Sequence, residues 1–95
     1  MSKEEIKELV EGVSATAGTA IIVSAFIPVM SMDSLLSSYQ DEVDIISKID
    51  DLIAVAPNQD EEKDPIYRVL IRTKAVHEGT KEALEKAIAS GANPN

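Results

Sequence analysis

Residues 33–55 read DSLLSSYQDEVDIISKIDDLIAV, and this stretch decides the fold class. Leu35, Leu36, Tyr39, Val43, Ile46, Ile49 and Ile53 recur at intervals of about 3.5 residues, the period of a helix that lays one face on a neighbour. Ile45 and Leu52 widen the apolar face, so the helix is expected to pack on two neighbours. Asp41, Glu42, Asp44, Asp50 and Asp51 fill much of the remainder and read as a solvated face. Ser31 or Asp33 can cap the start. The pattern places Val43, Ile46, Ile49 and Ile53 in the core and Asp41, Asp44, Asp50 and Asp51 in water.

Upstream, residues 2–13 open with a capping box, Ser2 with Glu5. Ile6, Leu9, Val10 and Val13 then form one apolar helical face. Residues 13–32, VSATAGTAIIVSAFIPVMSM, carry no charge. Gly18 weakens a helix and Pro28 ends or kinks one. The expectation is one helix over about 3–27, or two shorter ones divided near Gly18. Its small residues, Ala15, Ala17, Gly18 and Ala20, allow helices to approach closely.

Downstream, residues 56–64 form an acidic loop. Asp64-Pro65 starts the next helix as N-cap and first-turn proline. Ile66, Val69, Leu70, Thr73 and Val76 or His77 make its inner face. Gly79 is expected to stop it near residue 78. Thr80 would cap a last short helix over 80–90, with Leu84, Ala87 and Ile88 inward and Gly91 closing it. The fold class is therefore all-α, a single domain over residues 1–95 built as a small bundle of four helices, or five if the first is broken.

The segment Gly79 to Asn95 resembles the second half of an ankyrin repeat. Gly79, Glu82, Ala83, Leu84, Ala87, Ile88, Gly91, Ala92, Asn93 and Asn95 match that pattern. At residues 70–73, where the family has Thr-Pro-Leu-His, this chain has Leu70, Ile71, Arg72 and Thr73. The resemblance covers 17 of 95 residues and implies protein-binding ancestry. A solenoid core needs about three repeats, so the chain would not be an ankyrin domain alone.

The net charge is −8, and residues 33–64 hold ten acids against two bases. Such a surface repels a phosphate backbone, so direct nucleic-acid binding is not expected. A basic protein partner fits it. The chain has no Cys and one His, which leaves neither a disulfide framework nor a thiolate metal site. The lack of staples favours the cytoplasm, and the first residues do not have the pattern of a signal peptide.

No cofactor motif and no catalytic constellation is legible. His77 reads as a helix-end residue near the last carbonyls before Gly79. The acidic loop lacks the alternating ligands and central glycine of an EF-hand. The leading functional reading is a binding module rather than an enzyme, of inhibitor, immunity, antitoxin or regulatory type. Its partner-binding candidates are Asp41, Glu42, Asp44, Asp50, Asp51, Asp60, Glu61, Glu62 and Asp64. Self-association through residues 13–32 is compatible with it. Two alternatives are a membrane protein spanning with residues 13–32 and an acidic DNA mimic. Glu11 and Asp33 border the uncharged run where basic anchors would be expected, which favours burial by protein over lipid.

Overall fold

The computed structural model describes residues 2–56, 59–60 and 62–91. Three helical arms run up, down and up, and no strand occurs among the described residues. The first arm is divided into α1 (Lys3–Ser14) and α2 (Thr16–Phe26), followed by a single 3-10 turn over Ile27–Val29. The second arm is α3 (Met32–Ala54) and the third is α4 (Pro65–Ala89). The bundle is elongated, 48 × 22 × 18 Å.

The ends follow local chemistry. The Ser2 hydroxyl accepts from the Glu5 N–H at 3.2 Å and donates to the Glu5 carboxylate at 3.1 Å, so the carboxylate takes the hydroxyl rather than the Ser2 backbone N–H as its donor. The first arm breaks at Ala15 rather than at Gly18, which lies inside α2. Pro28 sits in the 3-10 turn, where its missing N–H costs nothing. Ser31 caps α3 by accepting from the Ser34 N–H at 3.2 Å. Asp64 caps α4 by accepting from Ile66 N–H at 3.0 Å. Gly91 leaves α4 at φ 86°, a left-handed conformation that suits glycine.

Two expectations are corrected. Gly79 does not stop a helix: α4 runs through it without interruption. The residues around it explain this. Leu70, Thr73, His77, Thr80 and Leu84 alternate by three and four residues and are all buried. One continuous seam therefore crosses Gly79, and its burial outweighs the roughly 1 kcal/mol cost of a helical glycine. The expected four or five helices thus become three arms.

The second correction concerns α3. Its inner seam is Leu35, Ser38, Glu42, Ile45, Ile49 and Leu52, again spaced by three and four. Ile49 is fully buried as expected, but Val43, Ile46 and Ile53 are only half-buried. A carboxylate occupies a core position, so ranking by hydropathy alone turned the apparent stripe around the helix. At the lower end, Ile6 and Val10 of α1 pack with Ile49 and Leu52 of α3 and Leu70 of α4. Val13, Ile45, Ile53 and Ile66 surround that aliphatic cluster.

Candidate binding cleft and an uncovered helix face

The upper half of the bundle is polar inside. Thr16 stands at the start of α2, Glu42 in the middle of α3 and His77 in the middle of α4, and the three arms bring them together. Glu42 is 4% exposed and His77 is wholly buried. The Nδ1 of His77 is hydrogen-bonded to Oε2 of Glu42. Its Nε2 lies 2.6 Å from the Thr16 hydroxyl, which donates to the Val13 carbonyl at 2.6 Å. One turn further, the buried Thr80 hydroxyl donates to the Ala20 carbonyl at 3.1 Å.

The connectivity of hydroxyl, imidazole and carboxylate resembles that of an activated nucleophile, with the donor roles of the two ring nitrogens set by the tautomer. The same network ties the α1–α2 junction to both other arms.

Beside the network, α2 leans on α4 and leaves a cleft of about 310 Å³ against α3. Thr16, Thr19, Ala20 and Val23 line one wall. Ser38, Asp41, Glu42, Asp44, Ile45 and Lys48 line the other, with His77 between them. Among the described residues only Oε2 of Glu42 is bonded to a protein group. Among the described residues no fully enclosed side-chain oxygen lacks a partner, so Oε1 keeps some exposure, and Glu42 lines the cleft.

Comparison with protein-family models, curated proteins and solved structures gives no match. What can be said of function therefore rests on this geometry.

The outer face of α2 is the second unusual feature. Residues Lys3–Val29 form a helical run long and apolar enough to cross a membrane. The expectation that protein buries residues 13–32 is not met within one chain. In α2 only Ala20 is buried. Ile21, Ile22, Phe26 and Val29 remain 57% to 65% exposed. Ala15, Gly18, Ile22, Ala25 and Val29, all exposed, recur by three and four along this face. The inward side of the helix carries the small and hydroxyl-bearing residues that suit the polar half, and most of the large apolar ones point away.

The acidic candidates are dispersed. Asp41, Asp44, Asp50, Asp51 and Glu62 are exposed as expected. Glu42 is a correction: it faces inward and is bonded to His77, because its position falls on the inner seam of α3. Asp50 pairs with Lys74 at 2.7 Å. Asp60 accepts from the Glu62 N–H at 3.0 Å and has Lys63 at 3.9 Å, so with Asp64 it shapes the entry to α4. Glu61 lies outside the described residues. His77, read as a helix-end residue, sits twelve residues before the end of α4 and inside the core. Its signal was present in the sequence, as the histidine of the seam Leu70-Thr73-His77-Thr80-Leu84.

Proposed function

We propose that the chain is a binding protein that acts without catalysis, as a homodimer closed over the outer face of α2, with the acids of α3 turned toward a basic partner. The observation that carries this reading is the uncovered face of Ala15, Gly18, Ile22, Ala25 and Val29, flanked by Ile21 and Phe26. An apolar face of this extent is an interaction site on a soluble domain. Its spacing by three and four is the pattern of knobs-into-holes packing.

Charge selects the occupant. In a two-fold interface the same patch meets itself, so each charge near the axis faces its own copy. On a chain of net charge −8, the α3 surface would repel itself. The α2 face carries no charge, and its alanines and glycine let two helices approach. Four large side chains of each copy, at roughly 100 Å² apiece, contribute about 800 Å² in total, and the small residues between them bring the interface to about 1,000 Å². Lipid is the poorer cover. Thr16 and Thr80 bind α2 to α4, whose outer surface bears Glu78, Lys81, Glu82, Glu85 and Lys86. A span would have to break those bonds or take the charges with it.

The test is the mass of untagged protein in detergent-free buffer, by light scattering across a range of concentrations. A dimer is expected. Ile22→Gln combined with Phe26→Gln should give a monomer of unchanged helicity. A wild-type monomer at all concentrations, or protein released from membranes only by detergent, would overturn the reading.

A further inference from the structure

We propose that the cleft between α2 and α3 is a binding site for a primary ammonium group, with Oε1 of Glu42 as its inner acceptor. The argument begins with what the cleft lacks. Glu42 is bonded through one oxygen only among the described residues, and it lines a space large enough for a short alkylamine. A side chain 5% exposed has given up most of its hydration, so an acceptor left there gains from a donor that enters the cleft.

The surroundings set the sign and shape of that donor. Asp41 and Asp44 stand on the same wall as Glu42, and Asp41 has no ion-pair partner among the described residues. Asp44 accepts a hydrogen bond from Gln40 at 3.0 Å, which leaves its charge uncompensated. The opposing charge is Lys48, one turn beyond Asp44 along α3. A carboxylate beside the imidazole, neutral or protonated, leaves the His77–Glu42 pair with no net positive charge. The lining therefore carries a net negative charge. Ser38, Thr16 and Thr19 add hydroxyl oxygens, while Val23, Ile45 and Ala20 supply an apolar passage for methylenes. An ammonium head on a short alkyl stem matches this order of groups. An anion meets two carboxylates first, and a neutral alcohol gains no charge-assisted bond.

The same head group is found on a free alkylamine and at the end of a lysine side chain. The second source would deepen the basic-partner reading above, and the site itself does not depend on the dimer. Amide NMR spectra of the full chain titrated with n-butylammonium test the site, with butan-1-ol as its neutral isostere. Saturable shifts at Thr19, Ser38, Asp41 and Glu42 are expected for the ammonium alone. Asp41→Asn, on an exposed residue, should weaken binding about two- to fivefold without unfolding the chain. A lysine peptide that saturates below the amine, and loses this advantage on Nε-acetylation, assigns the head group to a protein partner. A peptide no tighter than the amine assigns it to a small molecule. The Ile22→Gln, Phe26→Gln chain should bind n-butylammonium as the wild type does, so loss of the dimer and loss of the site are separate readings. Absence of saturable shifts with n-butylammonium, equal shifts with butanol, or an unchanged affinity in Asp41→Asn would overturn the proposal.

Discussion

The two halves of this bundle are held in different ways. The lower half closes on aliphatic side chains: Ile6, Val10, Ile49, Leu52 and Leu70. The upper half has Leu35 and Leu84 near its end, but its middle is Ala20, Glu42, His77 and Thr80, with Thr73 at the boundary. Apolar burial is non-directional and scales with area, so the lower half provides stability without dictating how the arms are rotated. Hydrogen bonds are directional, so the upper half fixes how α2 is seated while contributing little net energy. The half that is specified by polar contacts is also the half with the cleft and the uncovered face. Small and hydroxyl-bearing residues on the inner side of α2 leave its large apolar ones outside.

The largest effect should come from the aliphatic half. Leu70→Ala removes a fully buried side chain from the centre of the cluster, and a loss of about 3–4 kcal/mol is expected in urea unfolding. A loss below about 1 kcal/mol, outside the usual range for such cavities, would mean that the lower half does not dominate stability.

The polar half should respond to single and paired changes differently. Glu42→Ala leaves His77 buried without its partner and should cost about 3 kcal/mol. Replacing both, as Glu42→Leu with His77→Leu, removes the requirement and should recover most of that loss. The double variant should nonetheless loosen α2, read as faster amide exchange at Val23 and Ser24. If the double variant is as unstable as the single, the network supplies stability in its own right and the contrast between the halves fails.

A smaller effect tests the seam that joins them. A Cβ added at Gly79 meets nothing within 4 Å, and the residue is helical, so Gly79→Ala should stabilise the chain by about 0.5–1 kcal/mol. A left-handed glycine ending one helix and starting another would be destabilised by the same change. The direction of the melting shift decides between them.

The smallest expected effect lies at Lys74. Its hydrogen bond to Asp50 raises its pKa above the ordinary 10.5, against desolvation that lowers it, and Glu78 adds to the rise. A raised lysine contributes its stability fully below the ordinary value and loses it as pH climbs through the higher folded value. Lys74→Met should therefore cost about 0.5 kcal/mol at neutral pH, and the difference from wild type should vanish only in the alkaline range above the ordinary lysine value. A difference that disappears near neutrality would assign the effect to another group.

Much of the fold was legible in particular residues. Helix type followed from the periodic Leu and Ile of α3, and the starts of the three arms from Ser2, Ser31 and Asp64-Pro65. The misreadings share one cause. Glu42, His77 and Thr80 occupy seam positions with Thr73, and locally their polarity reads as a surface acid, a helix-end imidazole and an N-cap. Taken by spacing instead of hydropathy, Leu70, Thr73, His77, Thr80 and Leu84 run straight through Gly79, and Leu35, Glu42 and Ile49 fall in line. The glycine and the carboxylate then lose their apparent meaning as a stop and a surface charge.

Local sequence determined what local energies govern: the helical period, the caps, the closing turn at Gly91 and the concentration of acids in residues 33–64. Only the tertiary structure decided which polar groups are enclosed, because enclosure depends on partners 35 and 61 residues away meeting at His77. It also decided that the uncharged run faces outward. An apolar side chain states that burial is favourable, but which surface supplies it depends on how three arms share one core. In α2 the side facing α4 is taken by Ala20 and Thr16, and Ile22 and Phe26, with Val29 of the 3-10 turn, stay exposed.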